Sequence, residues 1–433
     1  MAPRCTMPVS QAMAVTLPRR NSGARTCTSV DGRNGAPERS LFRRSQAMAD
    51  AELRVRSAKL EGFPPYPTWN GTIAAPLEDT RGLLSVLGAD GELVVLQNSW
   101  NDDENGSADI WMRVVKVLPP AVEKSSSFCQ CWTKDGSIIA TAHDRSVIVY
   151  SSEDFTVLVK LRLQFSATSM DITKRSTADG KEFLLLVGTA FGAFLYKIAL
   201  GNDRAESDTA EQTPTPLARI CDEIAVCMVK FSGDGCTVAL GSMDGRLFLR
   251  RLHSHEDDVL ASFGASILSR VLIAPRITSL SFSTCSTKLV VATRKGNVYV
   301  FYCTSDTKEW RSLPSCKDLS TNPKPKGVGA AGVNKAATAA QTQVACWGLV
   351  FVVCSRAIES RLEVYDFVSG RLLHSLQHAP TATALNQRVE QQLITGVCCL
   401  QIAGGTGSRL LCHDTSANVT AVEWPFLDVI EER

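Results

Sequence analysis

From residue 52 onward the apolar positions fall into short runs of strand length, separated by turn-forming residues, and helical spacing is almost absent. Phe183–Val187 and Leu349–Cys354 are unbroken apolar runs with the length of buried strands. Three segments superimpose without a gap: Trp132–Tyr150 (WTKDGSIIATAHDRSVIVY), Phe231–Leu249 (FSGDGCTVALGSMDGRLFL) and Phe282–Val300 (FSTCSTKLVVATRKGNVYV). Each opens on an aromatic residue and a polar turn. An apolar strand follows, ending near a small residue (Ala142, Gly241 or Ala292). A second tight turn comes next, at Asp144-Arg145, Asp244-Gly245 or Lys295-Gly296, and an alternating strand closes the unit. That second turn calls for positive φ, which favours glycine. The small residue is expected to let strands approach closely near a narrow axis.

Weaker copies fill the gaps. They are Leu83–Leu96 with a turn at Asp90-Gly91, Phe183–Tyr196 with Gly192 in its turn, Leu349–Tyr365, and Ile394–Leu411 with a turn at Gly404 to Gly407. The count is seven. A small sheet that is apolar on both faces must be covered on both sides by neighbours, and the arrangement that supplies them is radial. The pattern therefore predicts an all-β fold, a seven-bladed β-propeller. Residues 53–58 and Val419–Trp424 both alternate as strands, and one of them is expected to finish the outer edge of the last sheet and latch the ring.

At Phe231, Ser232, Asp234, Gly235, Gly241, Asp244 and Gly245 the chain resembles the WD-repeat family, whose blades carry this succession of residues. Trp132, Asp135, Gly136 and Asp144 repeat it less fully, and Tyr365-Asp366 stands where the family has Trp-Asp. The resemblance spans about residues 70–427. No blade ends in Trp-Asp and no Gly-His pair opens one, so the family's His–Asp network is largely missing. The resemblance implies a seven-bladed propeller of WD-repeat type, a rigid platform that holds other proteins together.

Composition agrees with a folded chain: 44% hydrophobic, 21% charged, formal net charge +2. This balance gives no overall drive toward nucleic acid or anionic membrane. No apolar run approaches the roughly 18 residues of a membrane span. The 15 cysteines are odd in number and irregularly spaced, which reads as free thiols in a reducing compartment. Residues 1–51 are expected to be a disordered basic tail or presequence. Residues 1–30 carry arginines but no acid, the composition of a mitochondrial import peptide, whereas Met48 opens a compact alternative start. The expected domains are this tail, a propeller over 52–427 and a short tail at 428–433. Localisation is expected to be cytoplasmic, or mitochondrial if residues 1–30 act as an import peptide.

Three long insertions are the candidate contact sites. Asn98–Asp109 is acidic and holds Trp100 as an aromatic anchor. His253–Arg276 includes an expected amphipathic helix at Glu256–Arg270 that carries Phe263. Ser315–Thr342 is basic through Lys317, Lys324, Lys326 and Lys335. Arg246, Arg250, Arg251 and Arg270 form a short arginine patch.

Motifs for chemistry fail on context. Gly327–Gly332 has dinucleotide-fingerprint spacing, but a Pro- and Lys-rich stretch precedes it instead of a strand. Gly404–Ser408 has no lysine to make a phosphate loop. His253, His255, Glu256 and Asp258 cluster without further soft ligands for zinc. None of the six histidines sits in a nucleophile motif. The expected function is a non-catalytic protein–protein interaction scaffold in a multiprotein complex, with no cofactor and no metal. An RNA-associated subunit using the basic insertion is the alternative.

Overall fold

The computed structural model describes residues 54–59, 73–76, 78–79, 81–88, 91–98, 112–120, 128–175, 182–200, 213–221, 223–252, 266–271, 276–294, 296–304, 309–313, 342–355, 361–377, 394–401, 408–414 and 418–423. Their strands make seven four-stranded antiparallel sheets, and no helix occurs among the described residues.

Blade one holds β2 (Ile73–Ala74), β3 (Leu83–Leu87), β4 (Leu93–Asn98) and β5 (Met112–Leu118). Blade two holds β6 (Phe128–Trp132), β7 (Ile138–His143), β8 (Ser146–Ser151) and β9 (Val157–Arg162). Blade three holds β10 (Ser169–Lys174), β11 (Glu182–Thr189), β12 (Gly192–Ala199) and β13 (Ala218–Ile220). Blade four holds β14 (Val226–Phe231), β15 (Thr237–Ser242), β16 (Arg246–Arg251) and β17 (Ser266–Val271). Blade five holds β18 (Ile277–Phe282), β19 (Lys288–Thr293), β20 (Val298–Cys303) and β21 (Trp310–Ser312). Blade six holds β22 (Gln343–Trp347), β23 (Val350–Ser355), β24 (Arg361–Asp366) and β25 (Leu372–Gln377). Blade seven joins the two parts of the chain: β26 (Ile394–Gln401), β27 (Ser408–Asp414) and β28 (Asn418–Glu423) are followed at the outer edge by β1 (Arg54–Lys59).

The core is divided among the blades. Seven apolar clusters each lie between two neighbouring sheets, and one joins blade seven back to blade one. Strand alternation explains this. On β7, Ile138, Ala140 and Ala142 pack toward blade three, while Ile139 packs toward blade one. On β27, Leu410 and Cys412 face blade six and Leu411 faces blade one. Both faces of every sheet are thus covered, as the pattern required.

The three gapless segments each span the end of an inner strand, the second strand and half or more of the third. Their second turn has positive φ at Asp144 in blade two, Gly245 in blade four and Gly296 in blade five. The small residue near the end of the second strand is explained by the next blade rather than the axis. A Cβ on Gly241 would lie 2.6 Å from Cγ2 of Ile277 on β18. Gly188 stands in the same way against Val229 and Val226 of β14.

Two further details differ from the expectations. Ser266–Val271 pairs with β16 as strand β17, so the C-terminal part of the helix expected at Glu256–Arg270 is extended. The outward N–H and C=O groups of β16 need partners, and an apolar segment laid beside them supplies a ladder that a helix cannot. The copy taken as Ile394–Leu411 covers the first and second strands of its blade, whereas the other copies are built on the second and third. Its third strand is β28. The latch is therefore β1, paired through six residues from Arg54↔Glu423 to Lys59↔Asn418, with Ser57 Oγ 2.7 Å from Thr420 Oγ1.

Candidate functional site

The inner strands of all seven blades surround an axial channel of about 250 Å³. An innermost strand is a sheet edge, and its unpaired backbone groups need partners. Side chains of the preceding blade supply several of them. Ser169 Oγ accepts from Val229 N at 3.2 Å, and Asp171 Oδ2 accepts from Phe231 N at 2.8 Å. Between blades five and six, Ser279 Oγ accepts from Val344 N at 3.2 Å and Ser281 Oγ accepts from Cys346 N at 2.9 Å. In each case two residues of one inner strand, spaced by two, cap two of the next.

Asp171 also receives Lys230 Nζ at 3.1 Å, so a channel cation is neutralised by the neighbouring blade. Burial pushes the Lys230 ammonium down. The Asp171 carboxylate outweighs it and holds its pKa above the usual lysine value. Cys129, Cys131, Cys346, Cys398 and Cys399 also line the channel. Burial pushes Cys129, Cys346 and Cys398 up to about 12. Such thiols stay protonated near neutral pH, which makes them poor nucleophiles and poor metal ligands. No group of three or more His, Cys, Asp or Glu placed to hold a metal occurs among the described residues.

A second candidate lies at one end of the ring. Strand direction alternates, so the turns between second and third strands share an end with the connections that lead into each next blade. At that end of blade three, Phe191 is 52% exposed, although its ring lies 4.7 Å from that of Phe165. Phe165 is also 5.6 Å from buried Phe194. The Arg219 guanidinium lies over Phe194, and its Nη2 donates to the Phe191 carbonyl at 3.1 Å. Met243, 45% exposed, occupies the same turn of blade four.

The residues singled out from sequence are not brought together. Arg246 is exposed at the Met243 end of β16 and pairs with Asp244 at 3.0 Å. Arg250 and Arg251 are half-buried at the opposite end of that strand. The expected patch is divided because a strand carries its two ends to opposite faces of the ring. Trp100, Phe263, Lys317, Lys324, Lys326 and Lys335 lie outside the described residues, as do the glycine motif at 327–332 and His253, His255, Glu256 and Asp258. Sequence reasoning missed Asp171–Lys230 and Phe191. The signals were polar residues spaced by two on inner strands, and a large aromatic in a tight turn.

No protein-family model matches the chain, and no curated protein matches it in sequence. Among solved structures it is similar to the crystal structure of the Myceliophteria thermophila Cps50 (Swd1) beta-propeller domain, with a TM-score of 0.53 and 12% identity. The match covers 85% of this chain and 99% of that one. The likeness is one of fold: this chain is a seven-bladed β-propeller. No helix among the described residues is long and apolar enough to cross a membrane.

Proposed function

We propose that this chain is a divergent WD-repeat propeller that works as a non-catalytic platform for other proteins, as a cytoplasmic subunit of a multiprotein assembly. The observation that carries this reading is what the channel's polar groups do. Ser169, Asp171, Ser279 and Ser281 accept from backbone N–H groups of the next blade, and Asp171 also neutralises Lys230. These groups rigidify the ring instead of converging on a substrate. The repeat pattern around Phe231–Leu249 supports the family reading, and the structural likeness to the Cps50 (Swd1) propeller supports the fold half of it. A rigid ring with variable turns suits the display of surfaces to partners.

The test is affinity purification of the tagged chain at native expression level, with mass spectrometry and size-exclusion chromatography of the eluate. A reproducible set of partners that comigrates with the chain is the expected result. A chain that elutes alone from gently lysed cells would overturn the platform reading.

A further inference from the structure

We infer that the rim around Phe191 and Met243 is a docking site for an acidic peptide segment that carries a large apolar side chain, presented by another protein. The inference rests on the platform reading and names the chemistry of one partner. Phe191 is placed as a ligand anchor would be. Its ring packs against Phe165 at a tilt of 39°, its carbonyl is held by Arg219, and half of its surface is in solvent. An aromatic already packed and tethered in this way loses little entropy when a second apolar group covers it. Met243 in the same turn of the next blade adds a pliable thioether, suited to side chains of varied shape.

Charge identifies the occupant. The same end of blades two to five exposes Arg145, Arg162, Arg219, Arg246 and Arg294. Among the described residues of that rim the acids are Asp144, Glu223 and Asp244. Asp144 accepts from Ser166, and Asp244 binds Ser242 and Arg246. The described residues of the rim are thus net positive around an apolar centre, complementary to carboxylates flanking an apolar residue. A continuous phosphate backbone fits less well, because Glu223 and Asp244 stand exposed among the arginines and repel it. A peptide can space its carboxylates around them.

The probe is a fluorescein-labelled peptide Gly-Asp-Glu-Phe-Asp-Glu-Gly, titrated with the full chain and followed by anisotropy. Comparators are the same peptide with Ala for Phe, a peptide with Lys for each acid, and an oligouridylate. The acidic Phe peptide should bind about tenfold more tightly than each comparator, and binding should weaken as salt is raised. Phe191→Ser with Met243→Ser should cost about tenfold. Should that variant fail to fold, Arg145→Glu with Arg294→Glu gives the second reading, and it should weaken the acidic peptide while sparing the basic one. Equal binding of acidic and basic peptides, tighter binding of the oligouridylate, or folded variants with unchanged affinity would each overturn the inference. Partner recovery separates the two readings. If Phe191→Ser with Met243→Ser retains every partner of the wild type, the rim assignment falls and the platform stands. If the wild type has no partners, the platform falls, and the peptide titration alone judges the rim.

Discussion

Two residue types show how single side chains are held by the ring. Gly241 is small because Ile277 of the next blade occupies the space of its missing Cβ. Gly241→Val should therefore cost about 1–3 kcal/mol, seen as a lower urea midpoint and Tm. Combining it with Ile277→Ala should return part of that loss, which a double-mutant cycle would register as coupling. The second type is the buried imidazole. His143 ends β7 and His413 lies near the end of β27, both almost wholly out of solvent. Burial pushes both pKa values down to about 4; for His413 the neighbouring Asp414 opposes the shift without reversing it. Both are neutral in the folded chain, and the unfolded chain takes up their protons near the ordinary value of about 6.5. Their contribution is thus complete above about pH 6.5 and is lost as pH falls toward about 4. Between those limits each should take about 1.4 kcal/mol from stability per pH unit. Thermal melts across this range should show the slope, and His413→Gln should flatten it. An unchanged slope in that variant would remove His413 from the account.

At the level of elements, pairing requirements decided what local pattern left ambiguous. The segment at 266–271 has an apolar spacing that fits a helix, yet it lies as a strand because β16 would otherwise be an open edge. The arginine patch was read from neighbours in sequence, and the strand geometry of β16 sends Arg246 and Arg250–Arg251 to different ends. The latch is the element with the clearest consequence. β1 covers the edge of β28 through six paired residues. Removing Arg54–Lys59 should expose that edge, lower Tm and promote oligomers on size-exclusion chromatography. A truncated chain that stays monomeric with an unchanged Tm would show that β1 contributes nothing to closure.

For the whole molecule, closure joins residues far apart in sequence: Ser57 meets Thr420 across 363 positions. If the ring is held by its seven inter-blade clusters and not by chain order, the chain can be re-cut. Arg54 pairs with Glu423, so the end of β28 adjoins the start of β1. A short linker can therefore carry residues 54–62 behind 423 as a hairpin. Such a permutant should keep the circular dichroism spectrum and a similar Tm, and it should fold faster because the longest-range pairing becomes local. Loss of cooperative melting in the permutant would show that the wild-type connectivity itself stabilises the ring.

The repeat, the blade number and the covering of both faces of each sheet were legible in the residues alone, because alternation and turn chemistry are local properties that tertiary context reinforces. Trp132–Tyr150, Phe231–Leu249 and Phe282–Val300 fall on equivalent strands of their blades. What tertiary structure decided was every relation between blades. It determined which neighbour makes Gly241 small, which strand latches the ring, that Asp171 meets Lys230 in the channel, and that Phe191 and Met243 share a rim with five arginines. These groups lie tens to hundreds of residues apart. No periodicity along the chain records their meeting, which arises only when the sheets pack radially and bring inner strands and turns of adjacent blades side by side.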